Sequence, residues 1–164
     1  MNKLIELDNK IYLSIIKNRN LYVESFFLIF THLGDGILWA SIYVLIFLVF
    51  PATRHLIFVI VVAELMGLFT VIILKNITHR KRPAQVKFFF PWNRYSFPSA
   101  HTNRAFLIAT VLSLNYLQYL PIFVFWAFLV GYSRIYLKKH YPFDVLAGIF
   151  TGILSALISL KITG

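Results

Sequence analysis

At 164 residues the chain has room for one domain, 1–164, and its make-up is not that of a water-soluble one: 59% of residues are hydrophobic and 13% charged, against about 25% charged in soluble domains. The lack of cysteine excludes disulfides, thiolate metal sites and cysteine nucleophiles. A net charge of +10 would suit nucleic acid in a soluble protein. Here the cations cluster between membrane-length apolar runs, so the expected partners are anionic headgroups or a phosphorylated substrate, and no nucleic acid.

Residues 1–20 read as an interfacial amphipathic helix with mixed charge and no cleavable signal. Leu21–Leu33 is apolar but short, either a tilted span or a re-entrant segment. A five-helix core is expected over 36–164, since a crossing takes about 20 apolar residues. Gly36–Thr53 is its first span, closing at Pro51, and His55–Leu74 its second, interrupted by Glu64. Glu64 has two readings of equal weight, a functional intramembrane acid or a structural partner for a polar group on a neighbouring helix. Ala105–Ser133 is free of charge but too long for one crossing, and Pro121 divides it into two helices. Pro142–Ile162 is the last span, with Lys161 placed to snorkel. The fold class is therefore an all-α integral membrane protein of five to six transmembrane helices.

Two polar segments remain, Lys75–His101 and Ser133–Asp144. Two crossings lie between them, so both emerge on the same face of the membrane. That face gathers Lys75, Arg82, Arg94, His101, Arg134, Lys138, Lys139 and His140. Ser99 is placed to cap the helix that follows it, and Pro142 suits a first helical turn. Two helix N-termini thus open among cations, which is the makings of a phosphate site. With Pro142 first in its helix, Asp144 is third and its carboxylate can reach back toward His140. That would fix the tautomer and leave the other ring nitrogen able to attack phosphorus. His101, just inside the preceding helix, could protonate a leaving oxygen. Taken singly these features have plainer readings: Pro-Ser as an ordinary cap, basic loops as headgroup contacts, and "KFFFPWNRY" (Lys87–Tyr95) as an interfacial aromatic belt.

Together the spacings resemble the three signatures of the type 2 phosphatidic acid phosphatase superfamily. Lys75, six residues, then Arg82-Pro83 matches the first; "PSAH", Pro98–His101, resembles the second; Ser133-Arg134, five residues, His140, three residues, Asp144 matches the third. The resemblance implies hydrolysis of a phosphate ester or anhydride through a phosphohistidine, with no metal and no cofactor. It makes His140 the nucleophile, Asp144 its partner and His101 the acid, with Lys75, Arg82, Arg134, Ser99 and the Ala100 amide on the phosphate oxygens. Ser133 matches the motif without a specific role. The family usually has glycine where Ala100 stands. An alanine amide can still donate if its φ is negative, so activity is expected to be retained.

The expected substrate is a lipid-linked phosphate or diphosphate, with undecaprenyl diphosphate first on size and a lipid A phosphate or phosphatidylglycerophosphate as alternatives. A lipid phosphotransferase shares the first half-reaction, and a non-catalytic anionic-lipid-binding protein is the reading from another class. The location implied is a bacterial inner membrane with the site extracytoplasmic. The cations that would argue for the cytoplasmic side are there for chemistry.

Overall fold

The computed structural model describes residues 2–84 and 94–163. Helix α1 spans Asn2–Ile16, α2 Leu21–His32, α3 Gly36–Val49, α4 Arg54–Thr78, α5 Ala100–Asn115, α6 Leu120–Tyr136 and α7 Pro142–Thr163, and no strand occurs among the described residues. Exposed Leu, Ile, Val and Phe cover the outside of α3, α4, α6 and α7. That is the pattern of helices whose surroundings are lipid. The protein is an integral membrane protein. The aromatic belt expected over Lys87–Tyr95 lies, as far as 93, outside the described residues.

By length and apolarity Pro51–Thr78, Leu117–Tyr136 and Pro142–Thr163 each qualify as a crossing, and α2 with α3 passes the same test only as a pair, bent by 48° at the break in the manner of a broken span or a re-entrant loop. The expected first span, Gly36–Thr53, thus comes out differently. Its helix stops at Val49 after 14 residues, about 21 Å at 1.5 Å per residue, too short to cross alone. Leu21–Leu33 is the other limb of the same bent pair. Helix α5 has 16 residues and is short by the same measure, yet it packs against α4, α6 and α7. Thr102, Ala105, Leu107, Ile108 and Val111 along it are buried.

Glycine sets the closest of these contacts. A β-carbon on Gly148 would lie 2.7 Å from the Ser99 carbonyl oxygen, and one on Gly152 would lie 2.3 Å from that of Asn103. The "GIFTG" stretch of α7 therefore lies directly on the backbone of α5, as small residues four apart allow in membrane bundles. Asn103 Nδ2 donates to Thr151 Oγ1 at 2.9 Å across the same seam. Glu64 takes the structural of its two readings: Arg104 Nε donates to it at 2.8 Å and Tyr43 Oη at 3.3 Å.

Candidate active site

The site lies where the start of α5, the end of α6 and the start of α7 meet. Ser99 is the extended N-cap of α5, its hydroxyl accepting from Thr102 Oγ1 at 2.9 Å and from the Thr102 amide at 3.4 Å. Its own amide donates to the Asp144 carbonyl at 2.9 Å, joining the first turns of α5 and α7. Ala100 follows with negative φ, because His79 and Lys138 are the positive-φ non-glycine residues among those described. The conformation required of an alanine at that position is met.

Helix α6 ends with Lys138 in the left-handed region at φ 58°, and the amides of Lys139 and His140 both donate to the Arg134 carbonyl, at 2.9 and 3.1 Å. This closing turn satisfies the orphan carbonyl, and it fixes Arg134 and His140 side by side. Beyond it, Pro142 opens α7 and Asp144 is the third helical residue. Asp144 Oδ2 accepts the Tyr141 amide at 2.8 Å, a carboxylate reaching back to the N-cap as in a capping box. Its distance to His140 Nδ1 is 3.6 Å, an electrostatic contact longer than a hydrogen bond.

Arg82 Nη1 lies 2.9 Å from His140 Nε2 and 2.9 Å from the Lys139 carbonyl. A guanidinium has no acceptor, so Nε2 must present its lone pair and the neutral ring carries its proton on Nδ1, the side of Asp144. Burial, then the charges of Arg82, Arg134 and Lys75, holds the His140 imidazole well below its ordinary pKa, so it is neutral at physiological pH. Burial brings Arg82 down to about 10, against the pull of Asp144, and it remains a cation. Lys75 is fully buried near the end of α4 and donates through Nζ to the Tyr95 carbonyl. Arg134 is buried and holds Thr31 Oγ1 of α2 through Nη1. Its Nε has no hydrogen-bond partner among the described residues. Ser133 Oγ donates to the Val130 carbonyl at 2.6 Å, a helical back-bond with no link to the site.

Three site residues were not singled out in the sequence. Arg80 spans two fully buried carboxylates, Asp144 Oδ1 at 2.8 Å and Asp8 Oδ2 at 2.5 Å, and lies 4.3 Å from the Tyr141 ring centroid. Asp8 also accepts the Phe143 amide at 2.9 Å, so α1 is keyed to the first turn of α7. The available signal was its position: Asp8 shares a stripe with Tyr12, Ile15 and Ile16, where an acid is out of place unless paired. The third is Asp35, whose Oδ1 lies 2.7 Å from His101 Nε2. The segments flanking 85–93 are tied by Ser96, whose amide donates to the Arg80 carbonyl at 2.8 Å. Arg80 also lines a cavity of about 690 Å³ together with Leu4, Ile5, Lys81, Phe97 and Tyr141.

The site is that of an all-helical membrane bundle with a buried histidine among a lysine and two arginines, a set of charges suited to an anion. The chain belongs to the PAP2 superfamily, whose model matches residues 52–164. It is 45% identical over 62 residues to the bacitracin transport permease protein BcrC of Bacillus licheniformis, covering 38% of this chain and 30% of that one. It is 43% identical over 60 residues to a lipid A 4'-phosphatase of Bacteroides thetaiotaomicron, covering 35% and 27%. The aligned stretch thus spans less than a third of each of these curated relatives. Among solved structures it resembles Aquifex aeolicus LpxE, with TM-score 0.81 and 33% identity over 94% of this chain and 95% of that one. It also shares the fold of a PAP2-type phosphatidylglycerolphosphate phosphatase from Bacillus subtilis, with TM-score 0.82 and 21% identity over 99% and 87%. The family supports a membrane lipid phosphatase.

Proposed function

We propose that this protein hydrolyses a lipid-linked phosphate or diphosphate through a phosphohistidine at His140, without a metal. The observation that carries the reading is the 2.9 Å contact between His140 Nε2 and the Arg82 guanidinium, a pure donor that requires Nε2 to offer its lone pair. A phosphoryl group entering between them would take the donors of Arg82, Lys75 and Arg134, with the Ser99 hydroxyl and the Ala100 amide at the helix start. Nε2 then attacks phosphorus, the bond to the leaving oxygen breaks, and His101 delivers a proton to that oxygen. In the second half, His101 takes a proton from water as its oxygen attacks phosphorus. The P–N bond breaks, inorganic phosphate leaves, and both histidines are restored. Asp144 steadies the positive charge on the His140 ring while the P–N bond exists.

Among substrates, undecaprenyl diphosphate is the first reading, supported by chain size. Removal of a lipid A phosphate is the second, favoured by the identity to the Bacteroides enzyme. The site is read as facing the extracytoplasmic side of a bacterial inner membrane.

The test is phosphate release by detergent-solubilised protein from four lipids: a prenyl diphosphate, a lipid A phosphate, phosphatidylglycerophosphate and phosphatidic acid. Wild type should release phosphate from at least one, undiminished by chelator, and His140→Ala should release none. Equal release by the two proteins would sink the mechanism. A metal requirement restored by adding metal back would do the same.

A further inference from the structure

His101 is not left to orient itself. Its Nε2 lies 2.7 Å from Asp35 Oδ1, and the other carboxylate oxygen, Oδ2, lies 2.7 Å from His32 Nδ1. Asp35 stands in the break between α2 and α3, where the bent pair changes direction by 48°. The flanking glycines let that break reach α5. A β-carbon on Gly34 would stand 3.0 Å from His101 Cβ and Cδ2 and 2.9 Å from Val130 Cγ1, and one on Gly36 would stand 3.0 Å from Arg104 Nη2. Arg104 Nη1 donates to the Gly34 carbonyl at 3.2 Å, and Trp39 Nε1 to that of Leu33 at 2.7 Å. The "LGDG" turn is thus fixed from both sides, with its carboxylate against the ring of His101.

We propose that Asp35 is the positioning carboxylate of His101, holding the ring by Nε2 so that Nδ1 handles the proton exchanged with the leaving oxygen. The inference rests on the phosphatase reading above and adds to it a residue outside all three motifs. Its logic is electrostatic. The groups that bear on His101 are Asp35 and His32 from the break, Arg104 one turn along α5, Arg134 from the end of α6, and His140 ahead of α7. Among the described residues Asp35 is the one carboxylate in that set, while both arginines oppose a further positive charge. An imidazolium at His101 needs a counter-charge, and Asp35 supplies it through a charge-assisted hydrogen bond. In the substrate complex, where the phosphate dianion adds its charge to that of Asp35, both ring nitrogens carry protons, with Nε2–H on Asp35 and Nδ1–H toward the leaving oxygen. As the P–O bond breaks, the Nδ1 proton goes to that oxygen and the ring becomes the neutral Nε2–H tautomer, still held by Asp35. Water returns a proton to Nδ1 in the second half, and the ion pair re-forms.

Asp35→Asn keeps the shape and removes the charge. Its side chain is 40% exposed, so the variant should fold, which a thermal melt in detergent checks. The full-length protein is assayed with phosphatidic acid, whose alcohol must be protonated to leave, and with 4-nitrophenyl phosphate, whose phenolate need not be. Asp35→Asn should lower kcat on phosphatidic acid about 10–100-fold, with KM within about threefold. The rate on 4-nitrophenyl phosphate should stay within about threefold, and the alkaline limb of the phosphatidic acid profile should move to lower pH. In a His101→Ala background the same change should add less than about twofold, because the two groups act as one. Equal loss on both substrates, no loss on either, or a further loss beyond His101→Ala overturns the proposal. Failure of the underlying phosphatase reading shows differently: His140→Ala would then match wild type on both substrates, and this proposal would fall with it.

Discussion

Arg80 offers the sharpest structural prediction. Asp8 and Asp144 are both 0% exposed, and Arg80, itself 23% exposed, is the shared cation of the pair. Replacing Arg80 by methionine preserves bulk over Tyr141 but takes the shared cation from two buried carboxylates, Asp8 keeping the Phe143 amide and Asp144 the Tyr141 amide. Removing one partner of a buried ion pair costs about 3–5 kcal/mol. Partial exposure of the arginine puts Arg80→Met near the lower end, about 3 kcal/mol. Asp8→Asn removes one of the two charges while its amide oxygen can still accept from Phe143, so about 1 kcal/mol is expected. In the double variant one uncompensated carboxylate has gone, and the combined cost should fall short of the sum by at least about 1 kcal/mol. The assay is unfolding of the detergent-solubilised protein against added denaturing detergent, with phosphate release measured in parallel. Release should drop at least about tenfold in Arg80→Met, because Asp144 loses the contact that holds its Oδ1. A single variant within about 0.5 kcal/mol of wild type, or strictly additive costs, would refute the clamp.

Gly152→Ala should destabilise by about 1–3 kcal/mol, since its new methyl meets the Asn103 carbonyl at 2.3 Å; the same unfolding titration reads it, and a neutral result would mean that α5 and α7 part at no cost. His140 titrates well below its ordinary value in the fold, through burial and then the nearby cations, whereas the unfolded chain binds that proton near pH 6.5. The unfolded state therefore takes up the proton first, so stability should fall as pH drops below about 6.5, by up to about 1.4 kcal/mol per unit; His140→Gln should flatten that slope. The acid limb of kcat/KM should likewise lie below about 6.5, because the nucleophile is still neutral there. Ala100→Gly should change phosphate release by less than about threefold, because negative φ already permits the amide to donate; a large gain would show that the methyl group crowds the phosphate.

What could be read from the sequence was whatever rests on local spacing. Ser99 capping α5, Arg134 beside His140, and Asp144 reaching back from the third position of α7 each depend on contacts within one turn or one closing loop. Asp144 also has partners that the spacing did not show. Its carboxylate takes the Tyr141 amide and Arg80 and stands 3.6 Å from His140, because an N-cap amide in the same turn is a nearer donor than the ring. The partners from distant segments left no such trace. His101 meets Asp35 across 66 positions and Arg80 meets Asp8 across 72, and no periodicity links residues so far apart. The bent pair escaped for a different reason. Composition shows apolar length but not direction, so Leu21–Leu33 and Gly36–Thr53 looked like separate segments. The break between them carries Asp35 to His101.

The central claim is that phosphate passes through a covalent bond to His140. The direct measurement is a rapid quench of the solubilised protein with a lipid phosphate labelled in its phosphoryl group, followed by mapping of the protein-bound label. The account predicts an acid-labile, base-stable label on His140 that turns over on further incubation and is absent from His140→Gln. Label on another residue, or phosphate release by His140→Gln at the wild-type rate, would contradict it.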